Sequence, residues 1–159
     1  MAGLVAGLSG CGDHDHGHAH GGGGEKSGGH HHDSAHGGVA VELGEHLYQL
    51  DLLHDAAAGT LTAWVMDGHM EGFVKIAAPE IPVTIATSAA TNATSLKAVA
   101  NAATDEKVGD TSQFLGQSDV LKGAGEFRLS VPLLEVRGAR FTNVVVHYAA
   151  KKAAPGGGK

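Results

Sequence analysis

Histidine is concentrated near the start of the chain. Of the 12 histidines in 159 residues, most fall within residues 12–38, where glycine, alanine, serine and aspartate separate them. Neutral imidazole, with an ordinary pKa of about 6.5, offers a lone pair to a divalent cation at neutral pH. The sequence therefore predicts metal binding by eight residues: His14, His16, His18, His20, His30, His31, His32 and His36.

The spacing within residues 12–38 suits chelation without a preformed site. From His14 to His20 every second residue is histidine, which places side chains of an extended chain roughly 6–7 Å apart on one side. The interspersed glycines allow the chain to fold around an ion at bond lengths of about 2.0–2.1 Å. Such ligands select weakly by geometry, so affinity should follow the Irving–Williams order. We expect a divalent transition metal as cofactor (Zn, Cu, Ni or Co).

The composition of residues 12–38 also predicts their conformation. They contain no leucine, isoleucine, valine or aromatic residue, so burial cannot offset an ordering cost of about 1–2 kcal/mol per residue. We therefore expect a disordered histidine-rich arm over residues 12–38. From residue 39 to 150 the apolar content is that of one folded domain, and residues 151–159 form a glycine-rich flexible tail.

The only cysteine, Cys11, closes an apolar opening segment. Leu8-Ser9-Gly10-Cys11 resembles the lipobox of bacterial lipoproteins, in which the cysteine is lipidated and becomes the mature N-terminus. The resemblance implies that residues 1–11 are a signal peptide and that Cys11 anchors an exported protein in the cell envelope, on the periplasmic side. The segment lacks Lys and Arg and is short for a signal peptide, so we expect the true start codon further upstream. A lone cysteine excludes an internal disulfide.

Alternating hydrophobicity dominates the folded part. In residues 46–54 one parity carries Tyr48, Leu50 and Leu52, which indicates a half-buried strand. A short loop over residues 55–59 and a second strand over residues 60–66 complete a β-hairpin. Other predicted strands cover residues 39–43, 73–77, 82–87, 95–100, 113–115, 126–131 and 141–148. Seven to nine short strands predict an all-β fold, a small antiparallel β-sandwich of Ig-like type.

The hairpin register suggests a secondary metal site. Pairing Asp55 with Gly59 would place His46 opposite Gly68 and beside three further candidates, namely Asp67, His69 and Glu71. Two alternatives stay open: a soft Cu(I) cluster of Met66, His69 and Met70, or an ordinary Asp-Gly turn with surface histidines. His54 and His147 are expected at the surface or at strand edges.

Three segments carry a family resemblance. They are the run from Gly37 to Gly44, Tyr48-Gln49-Leu50-Asp51-Leu52, and the run from Leu61 to His69. Together they resemble small bacterial His-rich lipoproteins. More distantly they are similar to the N-terminal region of periplasmic adaptor subunits of heavy-metal efflux pumps, in which a His-Gly-Gly entry corresponds to His36-Gly37-Gly38. The resemblance covers roughly residues 12–85 and implies exported heavy-metal homeostasis, with efflux-pump components as partners. The helical hairpin, lipoyl and barrel domains of a true adaptor are missing.

Charge and motifs narrow the function classes. The 17 acidic and 11 basic residues give a net charge of −6, which disfavours nucleic-acid binding. No apolar run approaches the roughly 20 residues of a membrane helix, so we expect membrane contact through the lipid anchor alone. The sequence has no G-x-S-x-G or H-E-x-x-H motif. We therefore expect a non-enzymatic metal-binding lipoprotein. The alternative is a structural or protein-interaction sandwich with the arm as spacer.

Overall fold

The computed structural model describes residues 33–149. Cys11, the histidines from His14 to His32 and the C-terminal tail lie outside the described residues. Predictions that concern them are carried forward as predictions.

Eight β-strands make up most of the described chain, as the alternating pattern predicted. They are β1 (Val39–Leu43), β2 (Tyr48–Asp55), β3 (Thr60–Asp67), β4 (Glu80–Ala86), β5 (Thr91–Ala98), β6 (Gln113–Gln117), β7 (Glu126–Val136) and β8 (Ala139–Ala149). A single turn, α1 (Gly44–Leu47), joins β1 to β2, and short 3₁₀ turns cover Ala102–Thr104 and Asp119–Leu121.

All strand pairs are antiparallel, and their order is β1-β2-β3-β6-β5-β4-β7-β8. The consecutive strands β4, β5 and β6 lie between β3 and β7, which is a Greek-key arrangement on either side. The sheet coils far enough that its terminal strands, β1 and β8, contact each other. The predicted all-β antiparallel sandwich is therefore confirmed, in a form that approaches a closed barrel.

The core lies between the inward faces of the coiled sheet. Leu50 and Leu52 of β2 are 1 % and 0 % exposed, and Phe114 of β6 is 0 % exposed. Burial of a side chain of this size is worth about 1.5–3 kcal/mol. The more apolar set of alternate residues predicted for residues 46–54, which includes Leu50 and Leu52, is the set that faces this core.

The β2–β3 hairpin differs from its predicted register by one residue. Asp55 pairs with Thr60 and His54 with Leu61, because the loop contains four residues rather than three. The Asp55 carboxylate accepts hydrogen bonds from the backbone N–H groups of Ala57 (2.9 Å) and Ala58 (3.1 Å). Gly59 closes the loop at φ +67°, a conformation that costs glycine little.

Two segments outside the regular strands depart from the sequence prediction: residues 33–38 pack on the outer face of β2, and residues 72–76 hydrogen-bond to the β3 backbone and place Val74 and Ile76 in the core. The predicted strand over residues 73–77 is wrong, because this stretch makes only isolated bridges, Met66 with Phe73 and Ile76 with Thr111. The predicted domain start at Val39 is also too late. Residues 33–38 pack on the sheet, and a Cβ on Gly38 would lie 1.8 Å from the Leu52 carbonyl oxygen.

Candidate functional site: the His36–Asp51 pair

Two polar side chains are buried on the outer face of β2. Gln49 and Asp51 are each 0 % exposed, although they occupy the parity that an alternating strand normally turns towards water. Asp51 lies between Ala40 of β1 and Trp64 of β3 in the ladder. Both side chains are removed from water, so each needs a hydrogen-bond partner within the fold.

His36 supplies the partner of Asp51. Its ring nitrogen Nδ1 lies 2.7 Å from Asp51 Oδ2, and its backbone N–H donates to the same oxygen at 3.2 Å. Ser34 Oγ accepts hydrogen bonds from the backbone N–H groups of His36 (3.2 Å) and Gly38 (2.8 Å). The turn over residues 34–38 therefore holds both the main chain and the ring of His36 in place.

Aromatic side chains fix the plane of the His36 ring. The imidazole stacks on the Trp64 indole with ring centroids 3.7 Å apart and an interplanar angle of 7°. Phe73 tilts towards the same ring at a centroid distance of 6.0 Å. The His36 side chain keeps 25 % of its exposure, so the ring is held rigidly and yet remains in contact with solvent.

The hydrogen bond to Asp51 determines which nitrogen of His36 can act as a ligand. A carboxylate oxygen only accepts, so Nδ1 carries a proton, and in the neutral imidazole the lone pair therefore lies on Nε2. No residue between 33 and 149 hydrogen-bonds to Nε2. A buried carboxylate that orients an imidazole in this way is the usual outer partner of a metal-binding histidine.

The Asp51 carboxylate is incompletely partnered. Oδ1 of Asp51 and Oε1 of Gln49 are buried without a hydrogen-bond partner among the described residues. The Gln49 amide donates from Nε2 to the Gly68 carbonyl oxygen at 3.4 Å. His36, through Nδ1 and its backbone N–H, therefore supplies the hydrogen bonds to a carboxylate that is removed from water.

The predicted secondary metal site is not assembled. Asp67 Oδ1 accepts hydrogen bonds from the backbone N–H groups of His69 (3.1 Å) and Glu71 (3.0 Å), so this carboxylate organises its own loop. The His46 ring lies against Glu42, with 3.1 Å between Nδ1 and Oε2. Among residues 33–149, no group of three or more His, Cys, Asp or Glu side chains is arranged to hold a metal ion.

The main chain explains why this second site fails. The register that placed His46 opposite Gly68 is wrong by one residue, although the two backbones are close, since a Cβ on Gly68 would lie 1.7 Å from the His46 carbonyl oxygen. However, β2 begins only at Tyr48, and His46 sits in the α1 turn at φ +63°. The alternative Cu(I) cluster also lacks support, because Met66 is 4 % exposed whereas His69 is at the surface.

The other two histidines of the domain differ in their environment. His54 is partly buried against Phe127 and Tyr148, with centroid distances of 5.1 and 5.6 Å. Its Nε2 donates to the Leu121 carbonyl oxygen at 2.9 Å. His54 is therefore a partly buried packing residue, whereas a surface or strand-edge position was expected; His147 on β8 is exposed, as expected.

A second buried carboxylate, Glu106, has a structural role. It accepts hydrogen bonds from the Ser112 backbone N–H (2.8 Å), the Ser112 hydroxyl and the Thr104 hydroxyl (2.8 Å). Burial acts to raise the pKa of Glu106, but these hydrogen bonds and the charge of Lys75 outweigh burial and lower the pKa below its ordinary value of 4.5. The ionised carboxylate thus fastens the loop between β5 and β6.

Sequence reasoning selected His36 but missed both of its partners. Asp51 occupies a position typical of a solvent-facing strand residue, and Trp64 was assigned only to a strand. One feature of the sequence could have indicated these partners. His36 lies three residues before β1, and a residue so close to the first strand can reach the neighbouring strands.

No family model, curated protein or solved structure matches this chain. Within residues 33–149, no helix is long and apolar enough to cross a membrane.

Proposed function

We propose that this protein is an envelope-anchored, non-enzymatic metal-binding lipoprotein. Its histidine-rich arm captures, buffers or hands over divalent transition metal ions, and Cys11 carries the lipid. Efflux-pump components are the proposed partners. The observation that supports metal binding most directly is the His36–Asp51 pair, in which a buried carboxylate holds an imidazole with Nε2 available.

Two features support this proposal: the number of histidines in the arm and the carboxylate contact of the last one, His36. Seven histidines from His14 to His32 precede His36, and His36 has the carboxylate contact that raises the basicity of ligand imidazoles. A surface histidine without a ligand role has no need of a fully buried carboxylate partner, which is costly to desolvate. Metal binding accounts for both features at once.

A second candidate function is a protein-interaction sandwich in which the arm is a spacer. The observation that favours it is a row of apolar side chains on the outer face. Leu53 and Leu115 both pair with Thr62 in the ladder and are 36 % and 42 % exposed. Phe73, beside His36, is 53 % exposed. Exposed apolar groups on one face are a common feature of protein interfaces.

Calorimetric titration of the full chain with Zn(II) separates the two functions. A variant with asparagine at the seven histidines from His14 to His32 leaves His36 and the described domain intact. Metal binding by the arm predicts that the wild type binds more than one ion at micromolar or tighter affinity, and that the variant loses most of this capacity. Equal stoichiometry in the two proteins would contradict the proposal and leave the spacer function.

Binding should also weaken as the pH falls through about 6, because each imidazole must release a proton to bind the ion. Zn(II) titrations of the wild type at two pH values on either side of 6 measure this. Binding that does not change with pH would exclude imidazole ligands.

A further inference from the structure

We infer that the folded domain takes part directly in metal binding: His36 Nε2 is a metal ligand, Asp51 is its positioning residue, and the bound ion lies against the face of Trp64. This inference rests on the proposed metal-binding function and adds to it.

The first argument is the fixed tautomer. Asp51 Oδ2, 2.7 Å from Nδ1, requires a proton on that nitrogen, so in the neutral ring the lone pair lies on Nε2, where an ion can bind. A histidine in a glycine-rich arm must choose this tautomer and lose its rotational freedom only when the ion binds. His36 has already lost that freedom through its stacking on Trp64 and its backbone hydrogen bonds.

The second argument is the position of the ion relative to the indole. A metal bound to imidazole lies in the ring plane at about 2 Å from the nitrogen. Because the His36 and Trp64 rings are parallel within 7° at a centroid distance of 3.7 Å, an ion bound to Nε2 stays about one stacking distance above the indole plane. It then falls within the range of about 6 Å over which a cation is attracted by an aromatic face.

The third argument is the unpartnered Asp51 oxygen. Oδ1 is fully buried and has no hydrogen bond from any described residue, so the carboxylate charge is under-compensated. A divalent cation on the far nitrogen of the His36 ring increases the positive charge that faces this carboxylate. Metal binding should therefore tighten the His36–Asp51 contact and stabilise the domain.

Trp64 is the only tryptophan of the chain, so its fluorescence reports this site. Cu(II) is a paramagnetic quencher at short range, whereas Zn(II) is not. In the full chain, saturating Cu(II) should remove most of the Trp64 emission, and Zn(II) should not. His36→Gln should keep the emission under saturating Cu(II) while losing no more than one bound ion. His69→Gln, at an exposed histidine of the same domain, is the matched control and should behave as wild type.

Asp51→Asn tests the positioning role. Asparagine preserves the shape and can still accept from Nδ1, but only through a neutral oxygen. The Cu(II) concentration at half-quenching should rise by about 10- to 100-fold, although His36 is present. An unchanged midpoint would remove Asp51 from the inference.

Nuclear magnetic resonance of the wild-type imidazole nitrogens does not depend on any variant's folding. Zn(II) should shift the Nε2 resonance of His36 and leave its Nδ1 protonated. If calorimetry shows no metal binding by the arm, the proposed function fails. If the arm binds metal while His36 Nε2 does not shift, or while His36→Gln is quenched like the wild type, only the present inference is overturned.

Discussion

The imidazole of His36 lies parallel to the indole of Trp64 at a centroid distance of 3.7 Å. The same imidazole hydrogen-bonds to Asp51, which is fully buried. The last histidine of the arm is thereby a fixed part of the sandwich. These two contacts join His36, the last histidine of the arm, to the folded domain.

His36→Ala should destabilise the domain by about 1.5–3 kcal/mol, because it removes the hydrogen bond that the imidazole donates to a buried carboxylate. Asp51→Asn in the same chain should recover part of that loss, since a neutral amide costs less to bury than a carboxylate. Denaturant unfolding of the single and double variants measures the coupling. Strictly additive effects would indicate that the two side chains do not interact.

Gly38→Ala should be strongly destabilising, because its Cβ would lie 1.8 Å from the Leu52 carbonyl oxygen. Gly37→Ala is the matched control: nothing lies within 4 Å of its Cβ, so only the φ of +83° costs energy, about 1–2 kcal/mol. Thermal unfolding compares the two. If Gly38→Ala is no worse than Gly37→Ala, the domain does not begin before β1.

Glu106 should make stability depend on acid pH. Its pKa is lowered in the folded state, so its stabilisation is fully present above the unfolded value of 4.5 and is lost as the pH falls through the lower folded value. The stability of Glu106→Gln should therefore change less than that of the wild type below pH 4.5. Denaturant midpoints between neutral and acid pH measure this. Parallel pH profiles would contradict the assignment.

His54→Ala should lower stability by about 2 kcal/mol, because it removes a partly buried hydrogen bond to Leu121 and the ring contacts with Phe127 and Tyr148. His147→Ala, at an exposed position of β8, should stay within about 0.5 kcal/mol of wild type. Chemical unfolding of both variants gives the comparison, and equal effects would argue against the packing role of His54.

The strands were predictable because their evidence is local. Val39–Leu43 is a strand with the predicted bounds, whereas the strand predicted over residues 95–100 is observed at Thr91–Ala98. The hairpin register was predicted wrongly although the apolar pattern bears on it, because only a four-residue loop sets Leu50 and Leu52 opposite Val65 and Ala63. The hydrogen bonds of the Asp55 carboxylate and the conformation of Gly59 close this loop.

The burial of Asp51 could not be predicted for a different reason. Alternation tells which residues share a face, but both faces of β2 are covered, and the cover comes from segments without periodicity. His46 and His69 illustrate the converse error. They were predicted to be close because the β2–β3 pairing was extended as far as His46. In the structure this pairing ends at Tyr48, where the α1 turn precedes β2.

The sequence by itself determined the all-β class, the inward parity of β2 and the identity of His36 as a candidate ligand, because these depend on residue type and short-range period. Only the tertiary structure decided that His36 belongs to the domain and that Asp51 and Trp64 are its partners. These contacts join residues 15 and 28 positions away along the chain. Their energy depends on the exclusion of water from a carboxylate, which is set by the packed fold rather than by any local pattern.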